Sequence, residues 1–129
     1  MITRDFIVRQ IHQLAQVLAV VLLHKRAGRQ EEAQQTIAEG LEDALGLSLA
    51  ALYDLDRASL LARCTSGTTF FPEKALALAD LLREDATRAG RERALWLYEA
   101  ARDAGEIVPL DIDARIADLR QSLEPPAST

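Results

Sequence analysis

Apolar positions recur along this chain at intervals of three and four, the period of an amphipathic helix. Ile7, Ile11, Leu14, Leu18 and Val21 follow a +4, +3, +4, +3 spacing, which predicts a first helix running from a Thr3 cap to about Arg26. Its opposite side is polar at Arg9, His12, Gln13 and Gln16 and turns apolar at Val20 and Leu23. The second half of this helix is therefore greasy all round, as expected of a central bundle helix or a subunit interface. Lys25 and Arg26 suit its C-terminal dipole, and Gly28 ends it. A second helix is predicted from about Gln30 to Leu45, with Glu31 and Glu32 in its first turn and Ala33, Ile37, Gly40, Leu41 and Ala44 on one face. A glycine inside a helix costs about 1 kcal/mol relative to alanine. Gly40 makes sense there if it lets another helix approach closely.

Gly46 closes the second helix. Leu49, Leu52, Tyr53, Leu55, Leu60 and Leu61 suggest two short helices broken near residues 54–56. Thr65-Ser66-Gly67-Thr68-Thr69 is the clearest loop. Pro72 occupies the first turn of a longer helix with Ala75, Leu78, Ala79, Leu82, Ala86 and Ala89 in one stripe. After Gly90 a partner helix carries Ala94, Leu97, Tyr98, Ala101 and Ala104, and Gly105 stops it. Pro109 and an Asp111 cap introduce a last helix on Ile112, Ile116, Leu119 and Leu123. No stretch alternates with period two, so the fold class is all-α.

One short pattern occurs twice. Gly28-Arg29 precedes Ala33, Ile37 and Gly40, and Gly90-Arg91 precedes Ala94, Tyr98 and Ala101. An alanine, a larger side chain four residues on and a small one three further resembles the tetratricopeptide repeat. The two motifs lie 61 positions apart, whereas that repeat is about 34 residues long, and the second copy is one residue shorter between Gly and Ala. The order of segments, Ile11 to Ala15, Gly28 to Ala33, Leu49 to Leu61 and Leu76 to Leu82, is similar to a bacterial tetratricopeptide-like family of unknown function, over roughly residues 2–104. The resemblance implies about six or seven helices in antiparallel helix-turn-helix pairs, packed as one compact right-handed bundle, and no activity. The domain is expected to span residues 1–124, with a disordered tail over residues 125–129.

Composition agrees with helices. Hydrophobic residues make up 49% of the 129 and aromatics 5%, and Ala, Leu, Glu and Arg dominate. Thirteen Arg against two Lys (Lys25 and Lys74), with much Ala, hint at a GC-rich bacterial genome. A single cysteine, Cys64, excludes an internal disulfide. Val17 to Leu23, the longest apolar run, is too short to span a bilayer, and no signal peptide is evident. A cytoplasmic protein with no membrane partner is the expectation. The net charge of −5 argues against nucleic acid, which needs clustered positive charge. Residues 1–30 carry a net +4 and residues 94–129 a net −4. This is either a steering dipole between chain ends or two solvated faces that differ.

Chemistry-bearing residues are sparse. His12 and His24 are about 18 Å apart along one helix and cannot share a metal. Cys64 has only Arg63 as an immediate basic neighbour and reads as a half-buried structural thiol. The Thr65 to Thr69 loop lacks the Lys and glycine spacing of a phosphate loop. Asp111 and Asp113 flank a helix start, and Glu84 and Asp85 sit among Arg83, Arg88, Arg91 and Arg93 as a solvated ion-pair face. No catalytic, metal-binding or cofactor-binding residue is assigned. Trp96 falls about 160° from Tyr98 on the helix, off the core stripe, either covered by the last helix or exposed as a contact point. The candidate interaction surface is therefore Val17, Val20, Leu23, Arg93, Trp96 and Ala100. The function expected is a non-enzymatic protein–protein interaction or scaffold module, self-associating as a homodimer. The alternative is a helical bundle holding a small apolar ligand between the first helix and the Leu49 to Leu61 segment.

Overall fold

The computed structural model describes residues 4–105 and 108–125. The Thr3 cap and the tail beyond Pro125 lie outside the described residues. Among the described residues the seven helices are α1 (Arg4–Arg26), α2 (Gln30–Leu45), α3 (Leu49–Tyr53), α4 (Arg57–Ala62), α5 (Pro72–Leu82), α6 (Arg88–Asp103) and α7 (Ile112–Leu123). They form an all-α bundle in which α1 packs on α2 and α5, α5 on α6, and α6 on α7, with α3 and α4 lying against α6. Pairing is antiparallel within α1–α2, where Gln10 reaches Ala44 and Val17 meets Gly40. It is antiparallel again within α5–α6, where Asp80 faces Tyr98 and Leu82 faces Gly90. The two hairpins join through α1 and α5, which run side by side.

The apolar stripes build the core. Leu14, Val21, Ala33, Ile37, Leu41, Leu78, Leu82, Ala94, Leu97, Tyr98 and Ala101 are all fully buried, and Ile116 nearly so. Burying such side chains at about 1.5–3 kcal/mol apiece is the main force holding the helices together. Gly40 behaves as its position suggests. A Cβ there would sit 2.5 Å from both Cγ atoms of Val17, so the glycine is what allows α1 and α2 to meet.

Four local expectations are corrected. The helix after Pro72 does not run to Ala89: it ends at Leu82, and Thr87 caps α6 by accepting a hydrogen bond from the Gly90 amide at 3.0 Å. Gly90 is therefore no helix break. It is buried in the first turn of α6, where an added Cβ would lie 2.7 Å from the Tyr53 hydroxyl and 2.9 Å from the Leu82 carbonyl oxygen. Asp111 precedes α7 without a capping bond, because its carboxylate accepts from Arg115 Nε at 3.1 Å instead. The Thr/Ser/Gly loop is a minimal antiparallel hairpin, with Thr65–Ser66 (β1) paired to Thr69–Phe70 (β2). Gly67 has φ +62 and no other turn residue has positive φ, the signature of a two-residue turn with glycine first.

Candidate functional site

Two polar clusters fix the helices. In the first, Asp85 is 3% exposed and accepts hydrogen bonds from Tyr53 Oη, from Gln34 Nε2 at 2.8 Å and from Thr87 Oγ1 at 2.9 Å. One carboxylate thus ties α2, α3 and the α5–α6 turn together. The solvated ion-pair reading of Asp85 is corrected accordingly, since three donors replace its water. Glu84 keeps the ionic role, accepting from Lys25 Nζ at 3.1 Å. In the second cluster, Tyr98 donates to Asp80, and Arg115 bonds Asp80 at 2.9 Å while bonding Asp111. Both tyrosine phenols are held well above their usual pKa, first by burial and then by the hydrogen bond each donates to a carboxylate. The Arg115 hydrogen bond lowers the pKa of the exposed Asp111. A notch of about 280 Å³ between α1, α5 and α7 is lined by Asp80, Glu84 and Asp111 against Arg83 and Arg115. Its charges are largely matched.

The six residues singled out for an interaction surface separate into two groups. On α1, Val20 and Leu23 are 42% and 63% exposed. Val17 packs on Gly40 and, with Val20, lines a shallow groove of about 270 Å³ between α1 and α2. On α6, Arg93, Trp96 and Ala100 are half-buried. The Arg93 guanidinium lies 4.8 Å from the Trp96 ring centre and 5.6 Å from that of Tyr53, and donates to the Tyr53 carbonyl oxygen at 2.7 Å. Trp96 packs against the core. This second group holds α3 on α6 through stacking and a charge-assisted bond.

The exposed side of α1 reaches further than Val17, Val20 and Leu23. Val8 and Leu22 are exposed as well, and so are Ala15 and Ala19. At 100° per residue Val8, His12, Ala15, Ala19, Leu22 and Leu23 share one outward face, with Asp5 at one end and Arg26 at the other. α1 is also long and apolar enough to cross a membrane by length and composition, with 22% of its most apolar stretch buried. The whole helix meets that test although Val17 to Leu23 alone does not.

Cys64 is fully buried rather than half-buried, and burial pushes its thiol up to about 12, far from a nucleophile. His12 is exposed and His24 half-buried on α1. Among the described residues no three His, Cys, Asp or Glu side chains gather as a metal site. Leu52 and Leu60 are fully buried, and Leu49, Leu55 and Leu61 pack against the core. Sequence reasoning also missed Gln10 and Lys74, which are 8% and 6% exposed. Gln10 lies at i+3 from Ile7 and i−4 from Leu14, on the core stripe, so the periodicity carried that signal. Compared with family models, curated proteins and solved structures, the chain matches none.

Proposed function

We propose that this chain is a non-enzymatic, tetratricopeptide-like interaction module that self-associates through the outward face of α1, with a second copy as the occupant. The observation that carries the reading is the apolar content of that face. Leu23, Val8 and Leu22 are exposed around the small Ala15 and Ala19, which permit close backbone approach. An antiparallel pairing of two α1 helices about a two-fold axis sets Val8 opposite Leu23, His12 opposite Ala19 and Ala15 opposite Gln16. The same register places Asp5 of each copy opposite Arg26 of the other, and neither side chain has an ion-pair partner among the described residues of its own chain. A two-fold contact is self-complementary in this way. The tetratricopeptide-like element rests on the two antiparallel hairpins, α1–α2 and α5–α6, joined through their first helices.

The contact is about 30 Å long at 1.5 Å per residue. It falls toward the small end of specific interfaces, so association is concentration-dependent. Sedimentation velocity over a dilution series tests it. The protein should shift from dimer to monomer on dilution, and Ala19→Glu should be monomeric throughout while keeping its helical circular dichroism. A wild-type monomer at all concentrations contradicts the reading. A monomer in buffer that partitions onto lipid vesicles contradicts it in favour of a membrane surface.

A further inference from the structure

A cavity of about 210 Å³ lies where the start of α1, the end of α2 and the α4–β1 junction meet the first turn of α5. Two of its polar walls are more than nine-tenths buried. Lys74 is 6% exposed, and its ammonium has neither a carboxylate nor any hydrogen-bond partner among the described residues. Gln10 is 8% exposed. Its Nε2 donates to the Ala44 carbonyl oxygen at 3.1 Å, which fixes the amide's orientation and leaves the buried Oε1 without a partner among the described residues. A buried acceptor with no donor is costly in a folded chain, and among the described residues no carboxylate offsets the Lys74 charge beside it.

The positive charge here is compounded. Lys74 sits in the first turn of α5, where the helix dipole already favours anions and disfavours cations. Arg63 lines the same cavity. Burial is the main cause drawing the Lys74 ammonium below its ordinary pKa, and the nearby Arg63 charge adds to it, while Cys64 acts in the opposite sense. Ser66 at the hairpin adds a hydroxyl, and Ile7, Leu45 and Ala62 supply apolar wall.

We propose that this cavity is a binding site for a small hydroxycarboxylate, its carboxylate on Lys74 and Arg63 and its hydroxyl donating to Gln10 Oε1. Each group answers one unsatisfied feature. A carboxylate supplies the missing counter-charge, a hydroxyl the missing donor, and a short hydrocarbon body the contact with Ile7, Leu45 and Ala62. An amino acid fits less well, because its ammonium would face two cations. The volume equals about seven waters, so the ligand has a few carbons rather than a long acyl chain. The site is separate from the outward face of α1 and does not depend on self-association.

The test uses the whole protein with 3-hydroxybutyrate, butyrate and inorganic phosphate as probes, followed by amide chemical shifts and thermal unfolding. 3-Hydroxybutyrate should bind saturably, with shifts centred on Gln10, Ser66 and Lys74, and should raise the unfolding temperature. Butyrate, lacking the hydroxyl, should bind about tenfold more weakly, and Gln10→Leu should erase that difference. Lys74→Met should abolish binding and raise the unfolding temperature of the free protein, because it removes a cation from the first turn of a helix and from beside Arg63. That second readout would not follow if Lys74 were merely structural. Equal binding of phosphate and 3-hydroxybutyrate would overturn the carboxylate assignment. Absence of binding by all three probes, or a Lys74→Met variant that binds as wild type, would overturn the site itself.

Discussion

Replacing Gly40 by alanine tests the packing of α1 against α2 where Val17 meets the glycine. The new methyl would lie 2.5 Å from Val17 Cγ1 and Cγ2 and 3.1 Å from Val17 Cβ, against a favourable carbon–carbon separation of about 3.5–4.0 Å. Both residues are in mid-helix, so neither can relax by fraying. Overpacking of this kind costs about 1–3 kcal/mol, while the better helix propensity of alanine returns about 1 kcal/mol. Gly40→Ala should thus destabilise the wild-type chain by about 0–2 kcal/mol. In a Val17→Ala background both Cγ atoms are gone, and only the 3.1 Å approach to Cβ remains, which a shift of a few tenths of an ångström relieves. There the same change should become neutral or stabilising. Urea unfolding followed by far-ultraviolet circular dichroism on the four proteins of the cycle gives the coupling directly. If Gly40→Ala costs the same in both backgrounds, the close approach of α1 and α2 is not what the glycine serves.

Other consequences follow from the buried polar groups. Asp85→Ala strands the Tyr53, Gln34 and Thr87 donors and should cost about 2–3 kcal/mol; equal stability with wild type in urea would show that the cluster does not hold the helices. Both phenols have folded pKa values above the unfolded value of about 10, so their contribution is complete below that pH and is lost progressively as pH rises from there toward the folded values. Tyrosinate absorbance should therefore appear only together with loss of helical circular dichroism, and ionisation near pH 10 in an intact fold would contradict the burial of Tyr53 and Tyr98. Cys64, held up to about 12 by burial, should react with a thiol reagent only as fast as the protein opens; immediate reaction in native buffer would refute its place in the core.

Much of the helical frame was legible because burial imposes its period on sequence. Ile7, Leu14 and Val21, or Ile112, Ile116, Leu119 and Leu123, announce the face they bury. Gly40 could be read as a close approach because a mid-helix glycine is costly without one. Gly90 could not, since its role depends on the Tyr53 hydroxyl and the Leu82 carbonyl arriving from other elements. A glycine followed by arginine looks the same in sequence whether it ends a helix or sits inside one. Asp85 was opaque for a similar reason. Its flanking arginines suggest solvent, but its donors Gln34 and Tyr53 lie 51 and 32 residues away. Lys74 carried a faint signal, a cation in the first turn of a helix, which only the burial around it turns into a site.

The proposed antiparallel pairing of two α1 helices is tested by charge reversal at its ends. Asp5→Arg and Arg26→Asp each place like charges opposite one another in a homodimer, so each variant alone should sediment closer to monomer than wild type. Mixed in equal amounts, the two chains regain opposite charges at both ends and should form a heterodimer, detected by sedimentation equilibrium and weakened by added salt. If the mixture associates no better than either variant alone, the antiparallel α1 register is wrong.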